Sequence, residues 1–163
     1  MARSPLDGFA SGPKIPCMSN PLDRFQDLPR DADGTVTLTD AEWQARLSPE
    51  AYQILRKGGT EPRGSGALMN HEHVGDYHCA GCGLHLYTSD HKFHSGCGWP
   101  AFDDEVPNAV IRLEDRSLGM LRTEIRCRAC DGHLGHVFFG EHLTAKNTRH
   151  CVNSASIVFV PRS

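Results

Sequence analysis

Two C-x-x-C pairs, Cys79-Ala80-Gly81-Cys82 and Cys127-Arg128-Ala129-Cys130, constrain this chain more than any other feature in it. A turn of that length aims two thiolates at one tetrahedral ion, and two such turns close a four-thiolate site whose default occupant is zinc. Residues 83–126 separate the pairs, a longer spacing than in an ordinary zinc ribbon. The fold must therefore bring two distant stretches together, and the ion clips them. Full cysteine coordination leaves no open position, which gives the ion a structural role. Two other assignments compete. One C-x-x-C as a redox pair would need a βαβ setting, and neither pair has one. Cys127 and Cys130 with His133 and His136 would make a compact mixed site, but that strands Cys79 and Cys82. The expected ligands are Cys79, Cys82, Cys127 and Cys130, holding one structural Zn(2+) per chain.

Three of the seven cysteines, Cys17, Cys97 and Cys151, stand alone. An odd count argues for metal binding plus reactive thiols over a disulfide framework. The start of the chain has no apolar segment like a signal peptide, and no run approaches transmembrane length. The expected compartment is the cytoplasm, where thiols stay reduced. The formal net charge of −3 gives no electrostatic case for nucleic acid or an anionic membrane as partner.

With 163 residues the chain has room for one domain with a real core. Residues 1–34 are rich in Pro, Gly, Ser and Asp without apolar periodicity, and read as a disordered or loosely packed tail carrying an inert Cys17. The domain proper is expected over 35–163. Thr39-Asp40-Ala41-Glu42 fits a capping box opening a helix with Trp43 and Leu47 on one face. Ser48-Pro49 starts a second helix, with Tyr52 and Leu55 inward and Gly58-Gly59 as its stop. Residues 59–66 read as an irregular surface loop. From about Gly75 onward, short β-rich runs alternate with Gly, Asp, Asn and Ser, the pattern of many short antiparallel strands. The expectation is a mainly β body with two short N-terminal helices packed on it.

Near the C-terminus, Arg149-His150-Cys151-Val152-Asn153 precedes the apolar run Ile157–Val160. In a strand, Arg149, Cys151 and Asn153 share a face. A cation beside a thiol favours the reactive thiolate, and Asn153 adds a hydrogen-bonding amide. Cys97 lies between Gly96 and Gly98 in a stretch, residues 92–102, that reads as a loop. A mobile cysteine there can reach a second cysteine and form a transient disulfide. Trp99 beside it offers flat apolar surface, while Phe102 reads as core. His133 and His136 follow the second knuckle directly and can supply protons at neutral pH. His71, His73, His78, His85, His91, His94 and His142 read as structural or solvated.

Together these stretches resemble the zinc-containing B-type methionine sulfoxide reductases, which act on the R epimer. The resemblance runs from about Ala41 to Pro161. Its carriers are Tyr52–Arg56 with Gly59-Thr60-Glu61-Pro62, Cys79–Gly83, Lys92-Phe93 with Ser95–Pro100, Gly119–Glu124, His133–Phe138 and Arg149–Ser156. The resemblance implies a pair of antiparallel sheets in a sandwich or barrel-like body. It implies Cys151 as nucleophile, Cys97 as resolving cysteine and Trp99 as the holder of the substrate methyl group. His133 and His136 would orient the sulfoxide and protonate its oxygen, with Arg149 and Asn153 supporting the substrate site. The implied reaction reduces methionine-R-sulfoxide, free or in oxidised proteins, through a sulfenic acid and a Cys97–Cys151 disulfide that thioredoxin recycles. A monomer is expected.

The chain departs from the family pattern at three points, one of them the connector at residues 141–148, which differs from the commoner Pro-Gly-rich version. His150 stands where many members have Tyr. Gly140 stands where many have an acidic residue, with Glu141 adjacent as a replacement. A zinc-bearing binding module would explain the four metal cysteines equally well, but leaves Cys97, Trp99 and the Arg149–Cys151 stretch without a purpose. A thiol–disulfide oxidoreductase acting on protein disulfides lacks the thioredoxin-like pattern.

Overall fold

The computed structural model describes residues 20–162. Helix α1, Asp40–Arg46, opens with the capping box: Thr39 Oγ1 accepts from the Glu42 N–H, and the Glu42 carboxylate accepts from the Thr39 N–H. Helix α2, Pro49–Lys57, starts at the Ser48 cap and ends on Gly58 in the left-handed conformation. The two helices bury Trp43, Tyr52, Ile54 and Leu55 against the body.

The body is two antiparallel sheets. The smaller has the order β2 (His85–Thr88), β1 (Gly75–Cys79), β9 (Ile157–Pro161). The larger has the order β3 (Lys92–Phe93), β4 (Ala101–Phe102), β8 (Thr148–Val152), β7 (His133–Phe139), β6 (Arg122–Cys127), β5 (Val110–Asp115). Phe102, from the larger sheet, stacks on Tyr87 with 4.3 Å between centroids and meets Tyr77 edge-on at 5.1 Å. Each such pair adds roughly 0.5–1.5 kcal/mol beyond area burial. Phe102 is core, as expected.

Three sequence expectations need correction. Residues 20–34 are not loose. Phe25 and Leu28 are buried, and Arg24 and Arg30 donate to the Ala80 and Cys82 carbonyls. The anchors Leu22, Phe25 and Leu28 recur every third residue within a polar, turn-rich stretch, which hides them from a composition reading. Residues 1–19, including Cys17, fall outside the described residues. Residues 92–102 are not all loop: the two-residue strands β3 and β4 pair with each other, and β4 pairs with β8. Residues 59–66 do not merely cross the surface: Glu61 is 3% exposed.

Candidate active site and metal centre

Both knuckles are the turns of β-hairpins, one in each sheet. In the first, Cys79 N–H donates to Leu84 O and Gly83 N–H to Cys79 O; in the second, Cys127 N–H donates to Gly132 O and Asp131 N–H to Cys127 O. The residue after the second cysteine is left-handed in each, Gly83 at φ 84° and Asp131 at φ 62°. The same turn thus appears twice, and the four sulfurs converge. Cys79 and Cys130 are 3.6 Å apart, Cys82 and Cys127 3.5 Å, and all four sulfurs lie within 4.8 Å of one another. A tetrahedron with metal–sulfur bonds of about 2.3 Å has sulfur–sulfur edges of about 3.8 Å, so the group fits one ion. Hydrogen bonding within the cluster, Cys127 first, and burial push the Cys79 and Cys130 thiols far above their usual range. A bound cation relieves that crowding. Arg56 donates to the Cys130 carbonyl at 2.8 Å. With Arg24 and Arg30 it offsets the net negative charge of a four-thiolate centre. His133 and His136 bond to Glu124 and Asp115 and are not among the four groups whose donor atoms converge here.

The second constellation lies on the outer face of the larger sheet. Arg149 and Cys151 alternate with the buried His150 and Val152 along β8. The register sets His136 opposite Cys151 and Phe138 opposite Arg149 on β7, and Ala101 of β4 opposite Cys151 on the other side. Pinning β4 there brings Cys97 back over the sheet, with its Sγ 3.7 Å from Cys151 Sγ. The loop at residues 59–66 holds it. Gly64 N–H donates to Gly98 O, the Arg63 guanidinium to Gly96 O, and the Trp99 indole N–H to Glu61 O. A cavity of about 200 Å³ results, lined by Cys97, Trp99, His136, Phe138, Arg149 and Cys151, with Thr60, Arg122, Gly135, Val152 and Asn153 completing its wall. The volume suits one unbranched side chain.

The two thiols titrate as a pair. Their mutual hydrogen bond lowers Cys97 to about 5 and raises Cys151 well above its usual range. Burial adds to the rise at Cys151, and the Arg149 guanidinium opposes it. Arg149 lies over the Phe138 ring at 4.5 Å and donates to both Glu141 oxygens, at 2.7 and 3.2 Å. Glu141, next to Gly140, is thus the acid that pairs with Arg149. Replacing Cys97 with alanine removes the largest cause of the Cys151 rise. The alkylation rate at Cys151, followed against pH by mass spectrometry, should then titrate at lower pH than in the native chain. An unchanged profile would mean that Cys97 does not hold the Cys151 proton.

Alternation alone would put His133 and His136 on opposite faces of β7. An irregularity in the β6–β7 register, at Leu134, adds one residue and turns both rings to the same side, 5.6 Å apart. His136 reaches the cavity and its Nε2–H donates to Asp115 Oδ2 at 2.7 Å. A backbone N–H from Ser117 first, then His136, holds the Asp115 carboxyl well below its usual range. His133 is not on the cavity wall. Its Nδ1–H donates to Glu124 at 2.8 Å in a neighbouring cleft, and burial keeps its pKa below the ordinary histidine value.

The strand β8 ends at Val152, and Asn153, just past its end, still lines the cavity with Cys151. Its amide is committed to backbone: Oδ1 accepts from Glu61 N–H and Nδ2 donates to Leu134 O, both at 3.0 Å. Glu61 in turn accepts from Ala155 N–H. His150 is fully buried, with Nδ1 2.9 Å from the Tyr87 hydroxyl and Nε2 3.1 Å from Glu105. The stretches that carry the resemblance include Thr60, Arg122, Glu124 and Phe138 but gave them no role, and Asp115 and the buried role of Glu61 were missed. Only Glu61, a lone acid before Pro62 in a Gly-rich stretch, stood out enough to be found. Gly135 is required by the close approach of β7 to β8. A Cβ there would lie 1.9 Å from the Cys151 carbonyl oxygen. Gly135→Ala should force the strands apart, costing about 2 kcal/mol and most of the activity, as thermal melts and turnover assays would read.

A family profile described as "SelR domain" matches residues 47–161. The chain is 50% identical over 129 residues to "Peptide methionine sulfoxide reductase B7" of Arabidopsis thaliana, covering 78% of this chain and 88% of the relative. It is 53% identical over 126 residues to "Peptide methionine sulfoxide reductase B5" of Oryza sativa subsp. japonica, covering 77% and 91%. It is 47% identical over 133 residues to "Peptide methionine sulfoxide reductase MsrB" of Synechococcus sp. (strain RCC307), covering 81% and 97%.

Proposed function

The chain belongs to the B-type peptide methionine sulfoxide reductases, oxidoreductases that reduce methionine sulfoxide, and we propose that it does so on the R epimer with Cys151 as nucleophile and Cys97 as resolving thiol. The observation that carries the assignment is the 3.7 Å sulfur pair at the floor of the cavity. Trp99 and Phe138 supply apolar wall for the substrate methyl and methylene groups. The incoming sulfoxide displaces Cys97, which removes the hydrogen bond that holds the Cys151 proton, and Arg149 then favours the thiolate. Cys151 attacks the sulfoxide sulfur while His136, backed by Asp115, protonates the oxygen. The hydroxyl then passes from the methionine sulfur to the Cys151 sulfur as the bond between the two sulfurs breaks, so methionine leaves and Cys151 is a sulfenic acid. The Cys97 thiol attacks that sulfur, water departs, and a Cys97–Cys151 disulfide remains. The dithiol of thioredoxin takes up the oxidation and returns both thiols.

His133 acts as a positioning residue beside His136, held by Glu124. Asn153 positions the turn after Cys151 by tying Glu61 to Leu134, leaving its second amide N–H for the substrate side. The four-cysteine group would hold Zn(2+), which supplies a closed structural link between the two sheets and takes no part in the steps above. A buried four-thiol group and a thiol pair reset by a reductant fit a reducing compartment such as the cytoplasm. No described helix is long and apolar enough to cross a membrane. Every group the reaction uses comes from one chain, which fits a monomer.

The test is NADPH oxidation coupled through thioredoxin reductase and thioredoxin, with each sulfoxide epimer offered separately, free and in a peptide. Turnover with the R epimer alone is the expected result. Equal turnover of both epimers, or turnover of S alone, would overturn the stereochemical assignment.

A further inference from the structure

The outer face of the smaller sheet brings together three groups that the reductase reaction leaves unused. Asp76 and His78, two residues apart on β1, share that face. A bulge on β2 sets His85 opposite His78 in the register, and Leu86 and Tyr87 both turn into the core. Without the bulge, Leu86 would take the place of His85. The His78 and His85 rings stack with 4.8 Å between centroids, and His85 Nε2 lies 3.5 Å from Asp76 Oδ1. One donor atom from each of the three residues lies within 4.8 Å of the others.

Two details point to a cation. His78 Nδ1 faces the Gly83 carbonyl at 2.8 Å. A carbonyl only accepts, so Nδ1 carries the proton and Nε2 keeps its lone pair. Metal-bound histidines are oriented by this kind of bond. In addition, the His85 Nε2 atom is buried and has no hydrogen-bond partner among the described residues. Leaving such an atom unpaired is unfavourable, and a bound ion removes that cost.

We propose that Asp76, His78 and His85 form a second divalent-metal site, separate from the four-cysteine centre. Two imidazoles and one carboxylate select Zn(2+) and its nitrogen-preferring neighbours over Mg(2+) or Ca(2+). Three protein ligands leave a position open, so this site exchanges its ion where the closed centre does not. Arg162 is a built-in competitor: it donates to Asp76 Oδ1 at 2.6 Å and also pairs with Asp90 at 3.6 Å. Metal entry substitutes one cation for another on Asp76. The two rings are only 18° from parallel, so His85 turns to aim its lone pair, and its 37% exposed side chain is free to do so. The site joins the two strands whose turn carries Cys79 and Cys82, so an ion here stiffens the hairpin that presents half of the first centre.

The test titrates Zn(2+) alone into the full chain already loaded at the cysteine centre, followed by calorimetry and elemental analysis after dialysis. One further equivalent is expected. His85→Ala should lose it while keeping the first equivalent and full methionine sulfoxide reduction. Arg162→Ala should bind it more tightly, an effect that unspecific uptake by surface histidines does not produce. His73→Gln, an exposed histidine outside the site, should leave it unchanged. The proposal is overturned if the native chain takes up no further equivalent in excess Zn(2+). It is equally overturned if the equivalent survives His85→Ala, disappears in His73→Gln, or is not tightened by Arg162→Ala. Circular dichroism confirms the fold of each variant, and the Arg162 comparison decides alone if His85→Ala misfolds.

Discussion

Cys151→Ser is expected to lower methionine sulfoxide reduction by roughly 10⁴-fold or more, the scale on which removing a nucleophile acts, with no loss of metal or fold. A serine hydroxyl stays protonated beside Arg149 and cannot carry the oxygen away as a sulfenic acid. The substitution trades one small side chain for another at a half-buried position, so the thermal midpoint should barely move. Cys97→Ser should behave differently. The first chemical step needs only Cys151, so about one methionine per enzyme should form with small reductants absent. Turnover with thioredoxin should then stop, because no disulfide can form. Normal thioredoxin-dependent turnover in the Cys97 variant would refute the resolving role, and substantial turnover in the Cys151 variant would refute the nucleophile.

Cys130→Ser is expected to damage the fold instead of the chemistry. The four-cysteine group joins the β1–β2 turn of one sheet to the β6–β7 turn of the other, and α1, α2 and residues 20–34 all pack over it. Structural zinc sites contribute about 10–16 kcal/mol of binding free energy in small domains, against a total stability of about 5–15 kcal/mol for a typical domain. Even a third of the lower figure would shift the thermal midpoint by about 10 °C in a chain of this size. Loss of the ion and a fall of that order or greater should follow, with activity declining because the fold declines. A strong chelator acting on the native chain should reproduce the effect. A Cys130 variant that keeps its ion and its midpoint would show that the cluster is not what holds the sheets together.

The sequence shows its local rules most clearly. The capping box at Thr39, the Pro49 start of α2 and the Gly58 stop all stand in the structure, because each depends on a few adjacent residues. The knuckles were equally legible, since two C-x-x-C turns have little else to do. Phe25 and Leu28 were not, because lone apolar anchors three residues apart in a polar, turn-rich stretch complete neither a helical nor a strand pattern. The approach of Cys97 to Cys151 depends on the two-residue strand β4 pairing with β8, and a two-residue strand leaves no pattern. Turning His133 and His136 to one side requires an irregularity at Leu134, which spacing alone argues against. Asp115 and Glu124 became partners of the histidines only through the register of β5, β6 and β7. The Glu141–Arg149 pair depends on the turn after β7, where Gly140 takes a left-handed conformation.

The most direct test of the central claim is mass spectrometry of the reduced protein mixed with each epimer of methionine sulfoxide, without reductant. The expected result is the loss of two hydrogens with the R epimer only, mapped by peptide digestion to a bond between Cys97 and Cys151, and one methionine released per chain. An unchanged mass with both epimers, or a disulfide that maps to the four-cysteine group instead, would contradict it.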